Sequence, residues 1–293
     1  MKYTTAAAFR QALDERLKSE AVKTGLGLAR LRKRVAFELF LHRLVAVAPD
    51  RWILKGALAL DFRFHATSRP TRDMDLGRED DEDAAIEDFA AAQELALDDF
   101  FTFAARRTDA LDDADDFGAI RFHITAELAG RVFDQFVVDV GFADSISMNP
   151  DTIETSDLLS FAGIERIRVP ALPLPQHIAE KVHAYTRRYG SSGRESTRPK
   201  DLVDILLIIG TEQLDAAQLR EALDVTFRQR AQQPLPSSLP PPPESWRDPY
   251  RRLAREVDVE PDLDNAHAEA AACLDPILAG TTGIWDPQRR AWA

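Results

Sequence analysis

Two carboxylates one residue apart, Asp73 and Asp75, are the residues of this chain whose type and spacing point most directly to chemistry. If Arg72 to Leu76 is extended, a side-chain period of two puts both acids on one face, while Met74 and Leu76 point to the other. Two hard oxygen donors facing one point suit Mg²⁺, which takes few protein ligands and leaves positions for water and substrate phosphates. The matching chemistry is phosphoryl or nucleotidyl transfer. In a chain with 49 Asp and Glu residues an isolated acidic pair is ordinarily a solvated strand edge. The neighbouring sequence raises its weight. The apolar run Trp52-Ile53-Leu54 leads into Lys55-Gly56, and a helix-like stretch follows from Ala57 to Phe64. Gly56 lets the backbone come close to a phosphate, and the amides that open the following helix favour an anion.

Asp139 lies among valines in Phe133 to Gly141, where a carboxylate is costly unless it is paired or bound to a cation. It reads either as a third member of the acidic cluster from a neighbouring strand or as a satisfied structural acid. A second constellation comes later in the chain. Asp201 and Asp204 share a helix face by i,i+3 spacing, with Arg198-Pro199 at the helix start, and Lys181 and Tyr185 share a face by i,i+4 spacing. A lysine on a helix is usually a solvated charge, but beside a phosphate site Lys181 would neutralise a triphosphate. His183 has neither a nucleophile pattern nor a second histidine at zinc-ligand spacing. Thr71, two residues before Asp73, joins the acidic face if the strand begins early enough. A phosphate there would then compete for Mg²⁺ and Lys181.

The elements that must carry these residues follow from periodicity. Residues 6 to 47 read as two helices punctuated by Gly25 and Gly27, and Trp52 to Leu54 and Met74 to Leu76 as strands. A helix is expected over roughly Ala84 to Phe103, then two strands, Ile120 to Glu127 and Phe133 to Gly141, joined across Gly130. Pro170 to Pro175 reads as a rigid extended connector. Helices are expected over Gln176 to Tyr189, Lys200 to Ile209 and Ala216 to Arg228, with a polar segment from Gly190 to Pro199 between the first two. Pro240 to Pro243 reads as a stiff spacer packed on the surface.

With 293 residues and 45% hydrophobic composition the chain buries a sizeable core, and two lobes sharing a cleft are expected. The single Cys273 excludes an internal disulfide framework. No apolar run of about 18 residues is available to span a membrane, and the first residues lack the apolar core of a secretory signal. A soluble, cytoplasmic protein without a membrane partner is therefore expected. A net charge of -12 excludes diffuse attraction to nucleic acid over the whole surface, but not a local basic groove. Acid concentrates in Glu79 to Asp88 and Asp109 to Asp116, base in Arg30 to Arg34 and Arg187 to Lys200.

In order and spacing, several blocks resemble the AbiEii/AbiGii toxin family of nucleotidyltransferase-like proteins, the toxin half of AbiE-type toxin-antitoxin systems, which includes the MenT toxins. These blocks are Leu54-Lys55-Gly56-Ala57, Arg72-Asp73-Met74-Asp75-Leu76, Val138-Asp139-Val140-Gly141-Phe142, Ala179 to Ala184 and Arg198 to Asp204, continuing into Thr226-Phe227-Arg228 and the Leu239 to Pro243 tail. The resemblance implies an α/β (α+β) chain with a polymerase-β-like nucleotidyltransferase fold built on a mixed sheet, followed by a mostly helical lobe. The expected division is 1–169 and 170–293. It also implies Asp73 and Asp75 as metal ligands, with Asp139 the third acid from the reading above, and Lys181 as the nucleotide-phosphate contact. Lys55, Gly56, Ala57 and Arg72 join Lys181 in nucleotide binding. The late catalytic acid is Asp201 or Asp204, with Asp201 favoured. One departure is Gly56-Ala57, where the superfamily usually has Gly-Gly or Gly-Ser.

The implied activity is Mg²⁺-dependent transfer of a nucleoside monophosphate from a nucleoside triphosphate (NTP) to the 3′ end of tRNA. Such transfer would block translation, and a cognate antitoxin is the expected partner. Arg187, Arg188, Arg194, Arg198 and Lys200 would track the RNA. Two alternatives are transfer to a small molecule or protein hydroxyl, and a non-catalytic nucleotide-binding module.

Overall fold

Phe9, Leu13 and Leu17 recur at helical spacing and are the buried stripe of α1 (Ala6–Thr24). Thr5 accepts from the Ala8 amide at its start, and Gly25, at φ 74°, closes its end. After Gly27 the chain enters α2 (Leu28–Val47), which buries Leu31, Val35, Phe37, Leu39, Phe40, Leu41 and Leu44. The structure, a computed structural model, describes residues 2–64, 68–108, 119–142, 148–188, 195–230 and 233–293.

The chain forms two compact units. The first comprises Met1–Ala66, Pro70–Ser145 and Pro150–Ala171, and the second comprises Thr67–Arg69, Ile146–Asn149 and Leu172–Ala293. The first unit is built on a mixed seven-stranded sheet of β1 (Ile53–Lys55), β2 (Asp73–Gly77), β3 (Phe101–Thr108), β4 (Ala119–Leu128), β5 (Arg131–Gly141), β6 (Asp151–Glu154) and β7 (Arg168–Ala171). Their order is β3-β4-β5-β2-β1-β7-β6. The β2–β5 and β1–β7 pairs are parallel and the others antiparallel. The helices α3 (Gly56–Phe64) and α4 (Glu82–Glu94) complete the unit.

Alternation along the strands decides which face is covered. Met74 and Leu76 on β2, and Phe136, Val138 and Val140 on β5, are buried in one continuous core with α1 and α2. Aromatic rings fill it. Phe40 meets Phe89, Phe103 and Phe136, and Phe89 stacks on Phe122 with centroids 3.9 Å apart.

The helix expected over Ala84 to Phe103 ends at Glu94, and Phe101 begins strand β3 instead. A long-range ion pair explains the difference. Arg43 on α2 holds both oxygens of Asp99 at 2.8 Å and also donates to the Phe101 carbonyl, while Asp99 accepts the Phe101 amide. Phe101 and Phe103 then alternate inward as strand residues. The Pro170 to Pro175 connector is also shorter than expected, since Pro170 lies within β7 opposite Thr152 of β6 and helix starts again at Leu174. The acidic run Asp109 to Asp116 lies outside the described residues.

In the second unit, α5 (Leu174–Thr186), α8 (Arg247–Glu256) and α9 (Leu263–Leu278) pack against α6 (Pro199–Thr211), whose residues Asp201 to Ile209 are all buried, and α7 (Ala216–Arg230) packs on α5 and α9. A three-stranded sheet, β8 (Leu214–Asp215), β9 (Ile284–Asp286) and β10 (Ala291–Trp292), joins it. The proline segment is packed down: Tyr185 donates to the Pro240 carbonyl at 2.8 Å, and Trp246 donates to the Ser196 carbonyl at 2.7 Å. Cys273 is buried in α9, and burial pushes its thiol up to about 12. Among the described residues no helix is long and apolar enough to cross a membrane.

Glu38 on α2 is buried to 1% exposure and accepts from the Ser156 hydroxyl and amide. Burial pushes its carboxyl up to about 7, against the opposing pull of Arg34 and Ser156. The folded chain therefore holds a proton that the unfolded chain has released above its ordinary value of 4.5. Stability from this site is present below that value and is lost as pH rises towards 7, by up to about 3 kcal/mol. Urea unfolding at several pH values should show Glu38→Gln losing this part of the pH dependence. Parallel curves for both proteins would refute it.

Candidate active site

Register across the first unit's sheet sets four charged residues side by side. Lys55 on β1 pairs with Asp75 on β2, Asp75 with Asp139 on β5, and Asp139 with Arg121 on β4. The charges run plus, minus, minus, plus. Two acids directly opposite each other are destabilising unless compensated, and here a cation flanks each. Arg121 holds Asp139 through both oxygens, at 2.6 and 2.7 Å. The stem of Lys55 lies against Gly77, where an added Cβ would stand 3.0 Å from its Cδ.

Asp73 stands outside this rank, opposite Val137. Among the described residues no ion-pair partner engages its carboxylate, and both Asp73 and Asp75 are half-buried beside the buried Met74 and Leu76. Thr71 turns back onto the strand start, its hydroxyl donating to the Asp73 carbonyl at 2.9 Å and accepting the Asp73 amide at 3.3 Å.

The turn between β1 and α3 is fitted to Asp75. Gly56 has φ +63°, and a Cβ on it would meet Asp75 Oδ2 at 1.8 Å. Only glycine satisfies both the dihedral and the space. Ala57 is buried in the first turn of α3, whereas Arg72 is exposed. These donors fit an oxygen-preferring divalent cation: two carboxylates two residues apart on one strand, with the cradle over Asp75 kept open by Gly56. Asp139 adjoins them in register but gives its carboxylate to Arg121. Among the described residues no three His, Cys, Asp or Glu side chains group closely enough to hold a metal.

The second constellation lies within the second unit. Lys181 on α5 reaches Asp201 Oδ1 at 3.1 Å and Asp204 Oδ2 at 2.8 Å, both on α6. Arg69 binds Asp204 bidentately, at 2.8 and 2.9 Å, and Arg198 binds Asp201 at 2.6 Å. Burial pushes the two carboxyls up, but Lys181, with Arg69 on Asp204 and Arg198 on Asp201, holds both below the usual range. Burial likewise pulls Lys181 down, and the two aspartates more than offset it, so its amine stays above the usual lysine range. Lys200 behaves in the opposite way: burial, with Arg198 and Arg69 nearby, holds its amine below that range. Both late aspartates are thus directed at cations within the unit. His183 is buried with its ring edge-on to Phe227.

Of the residues expected to track RNA, Arg198 and Lys200 belong to this cluster, Arg187 and Arg188 follow α5, and Arg194 lies outside the described residues. Sequence reasoning missed two participants. Arg121 becomes visible only once the β4–β5 register is counted correctly. Arg69 carries no local signal, since its partner is 135 positions away.

The family model for the nucleotidyl transferase AbiEii toxin of type IV toxin-antitoxin systems matches residues 39–275. Among solved structures the chain is similar to MenT4, a nucleotidyltransferase toxin from Mycobacterium tuberculosis. The TM-score is 0.53 at 18% identity, over 90% of this chain and 98% of that one, a likeness of fold. A nucleotidyltransferase assigned as putative from Helicobacter pylori matches at TM-score 0.45 and 12% identity, over 84% of this chain and 92% of that one. JHP933 from Helicobacter pylori matches at 0.46 and 12%, over 84% and 90%. No curated protein sequence matches the chain.

Gly56→Ala tests the cradle. It forces a Cβ against Asp75 and a positive φ on alanine, and should destabilise the chain by about 1–3 kcal/mol while displacing the Asp75 carboxylate. A melting curve indistinguishable from that of the unaltered chain would refute the contact.

Proposed function

This chain belongs to the AbiEii family of nucleotidyltransferase toxins of type IV toxin-antitoxin systems, and on that premise we propose that it transfers a nucleoside monophosphate from an NTP to the 3′ end of tRNA with Mg²⁺. The observation that carries the reading is the Asp73 and Asp75 pair on one face of β2, next to the Gly56 turn. The two aspartates would hold the cation. When bound, the ion neutralises phosphate charge and lowers the pKa of the attacking hydroxyl.

The chain's own residues supply the remainder. The Lys55-Gly56-Ala57 turn offers backbone amides at the start of α3, Arg72 is exposed for the triphosphate, and Lys181 contributes a phosphate contact. The acceptor hydroxyl oxygen forms the new bond to the α-phosphorus, the bond to the β-phosphate oxygen breaks, pyrophosphate leaves, and the hydroxyl proton passes to water. Asp139, held by Arg121, keeps negative charge beside Asp75. It serves as base or further ligand once Arg121 is drawn off. Asp201 and Asp204 act through Lys181. The tRNA acceptor rests on the resemblance of the motif blocks, and loss of aminoacylation and of translation would follow from it. A cognate antitoxin is the expected partner.

Incubating the protein with total RNA and each labelled NTP, with and without Mg²⁺, tests the whole reading. Label should appear at RNA 3′ ends only with Mg²⁺. Asp73→Asn and Asp75→Asn should each lower incorporation about 100-fold or more, with melting temperature retained. Undiminished incorporation by either folded variant would remove that residue from the site, and label on protein or small molecules alone would replace the acceptor.

A further inference from the structure

An ammonium group has three N–H donors, and Lys181 commits two of them, to Asp201 and to Asp204. Its side chain keeps 9% of its surface, whereas Asp201 and Asp204 keep 0% and 1%. Alone, two buried carboxylates against one ammonium would leave an excess of negative charge, the wrong sign for receiving a phosphate. A buried charge without a partner is also costly. Two guanidinium groups reverse the balance. Arg198 reaches Asp201 from a side chain 41% exposed, so water can replace part of what it provides. Arg69 has no such substitute. Its side chain is 10% exposed, and its fork takes both oxygens of an aspartate that solvent scarcely reaches. With both arginines in place the five groups carry one net positive charge, to which Lys200 adds another.

We propose that Arg69 is a positioning residue for the nucleotide: by occupying Asp204 it keeps Lys181 from being drawn wholly onto that carboxylate, leaving the third N–H of the ammonium available to a phosphate oxygen. The inference rests on Lys181 being the phosphate contact. Asp204 is then the seat on which Lys181 and Arg69 are set against each other, and no metal enters its role. Arg69 lies four residues before Asp73 in sequence, so one short segment carries both the acid of the first unit and the counter-charge of the second.

The test is the affinity of the full-length protein for ATP, GTP, CTP and UTP with Mg²⁺, measured by titration for four variants beside the unaltered chain. Arg69→Gln should weaken binding of the preferred nucleotide about tenfold or more, like Lys181→Ala, since a charge-assisted contact is lost in each. The double variant Arg69→Gln with Asp204→Asn should regain most of that affinity, because the unshielded carboxylate is gone and the shape is kept. Arg69→Lys, which keeps the charge but not the fork, should fall between the two and serves if Arg69→Gln fails to fold. Recovery in the double variant supports the proposal. A double variant that folds but stays as weak as Arg69→Gln would overturn it, because Arg69 would then be touching the nucleotide itself. Unchanged affinity in a folded Arg69 variant while Lys181→Ala is weakened would also overturn it and leave the Lys181 assignment standing. Unchanged affinity in Lys181→Ala would remove that assignment and this inference with it.

Discussion

The register of β2 between β1 and β5 is the constraint on which the first unit depends. Because side chains alternate along a strand, burying Met74 and Leu76 in the core obliges Asp73 and Asp75 to face away from it. A slip of one residue would put both acids in the core and both apolar residues on the open face. The cost of burying two unpaired carboxylates makes that arrangement inaccessible. Once the register is fixed, Lys55, Asp75, Asp139 and Arg121 must lie abreast. The rank is neutral as a set, and Asp73 lies outside it, opposite Val137, with no ion-pair partner among the described residues.

The second unit meets an electrostatic demand by a different route. An open sheet face lets water share the burden of charge, whereas α6 buries every residue from Asp201 to Ile209. Two carboxylates on such a helix are tolerable only if cations satisfy them, and Lys181, Arg69 and Arg198 do so. Replacing buried ion networks with apolar side chains often costs little or gains stability, so this network is better understood as setting charge and position than as holding the fold together. Trp246 is bonded to the Ser196 carbonyl and edge-on to Tyr185, which is itself tied to Pro240, so the proline segment braces the stretch that delivers Arg198.

Some elements were legible because their signals are local. The stripe Phe9, Leu13, Leu17, the Gly25 and Gly27 breaks and the hydrophobic alternation around Gly130 are short-range patterns, and the two N-terminal helices and the β4–β5 hairpin follow from them. β3 was hidden because its start depends on Arg43 gripping Asp99 across 56 positions. Without that pair the apolar residues before Phe103 fit a helix as well as a strand. β6 and β7 are four residues each and draw their identity from pairing with each other and with β1, which no window of sequence contains.

The same division runs through the candidate site. The sequence by itself determined that Asp73 and Asp75 share a face, that Gly56 opens a helix beside them, and that Asp201 and Asp204 share a helix face, because each is a consequence of backbone period. Only tertiary structure decided what these residues touch. Counting back from the Gly130 turn would set Ile120 opposite Asp139, but a bulge between Ala126 and Glu127 shifts the register by one and brings Arg121 there instead. In the same way Arg69 reaches Asp204 across 135 residues. Backbone period is a property of neighbours in sequence. Partnership between charges is settled by which strands and helices the core brings together.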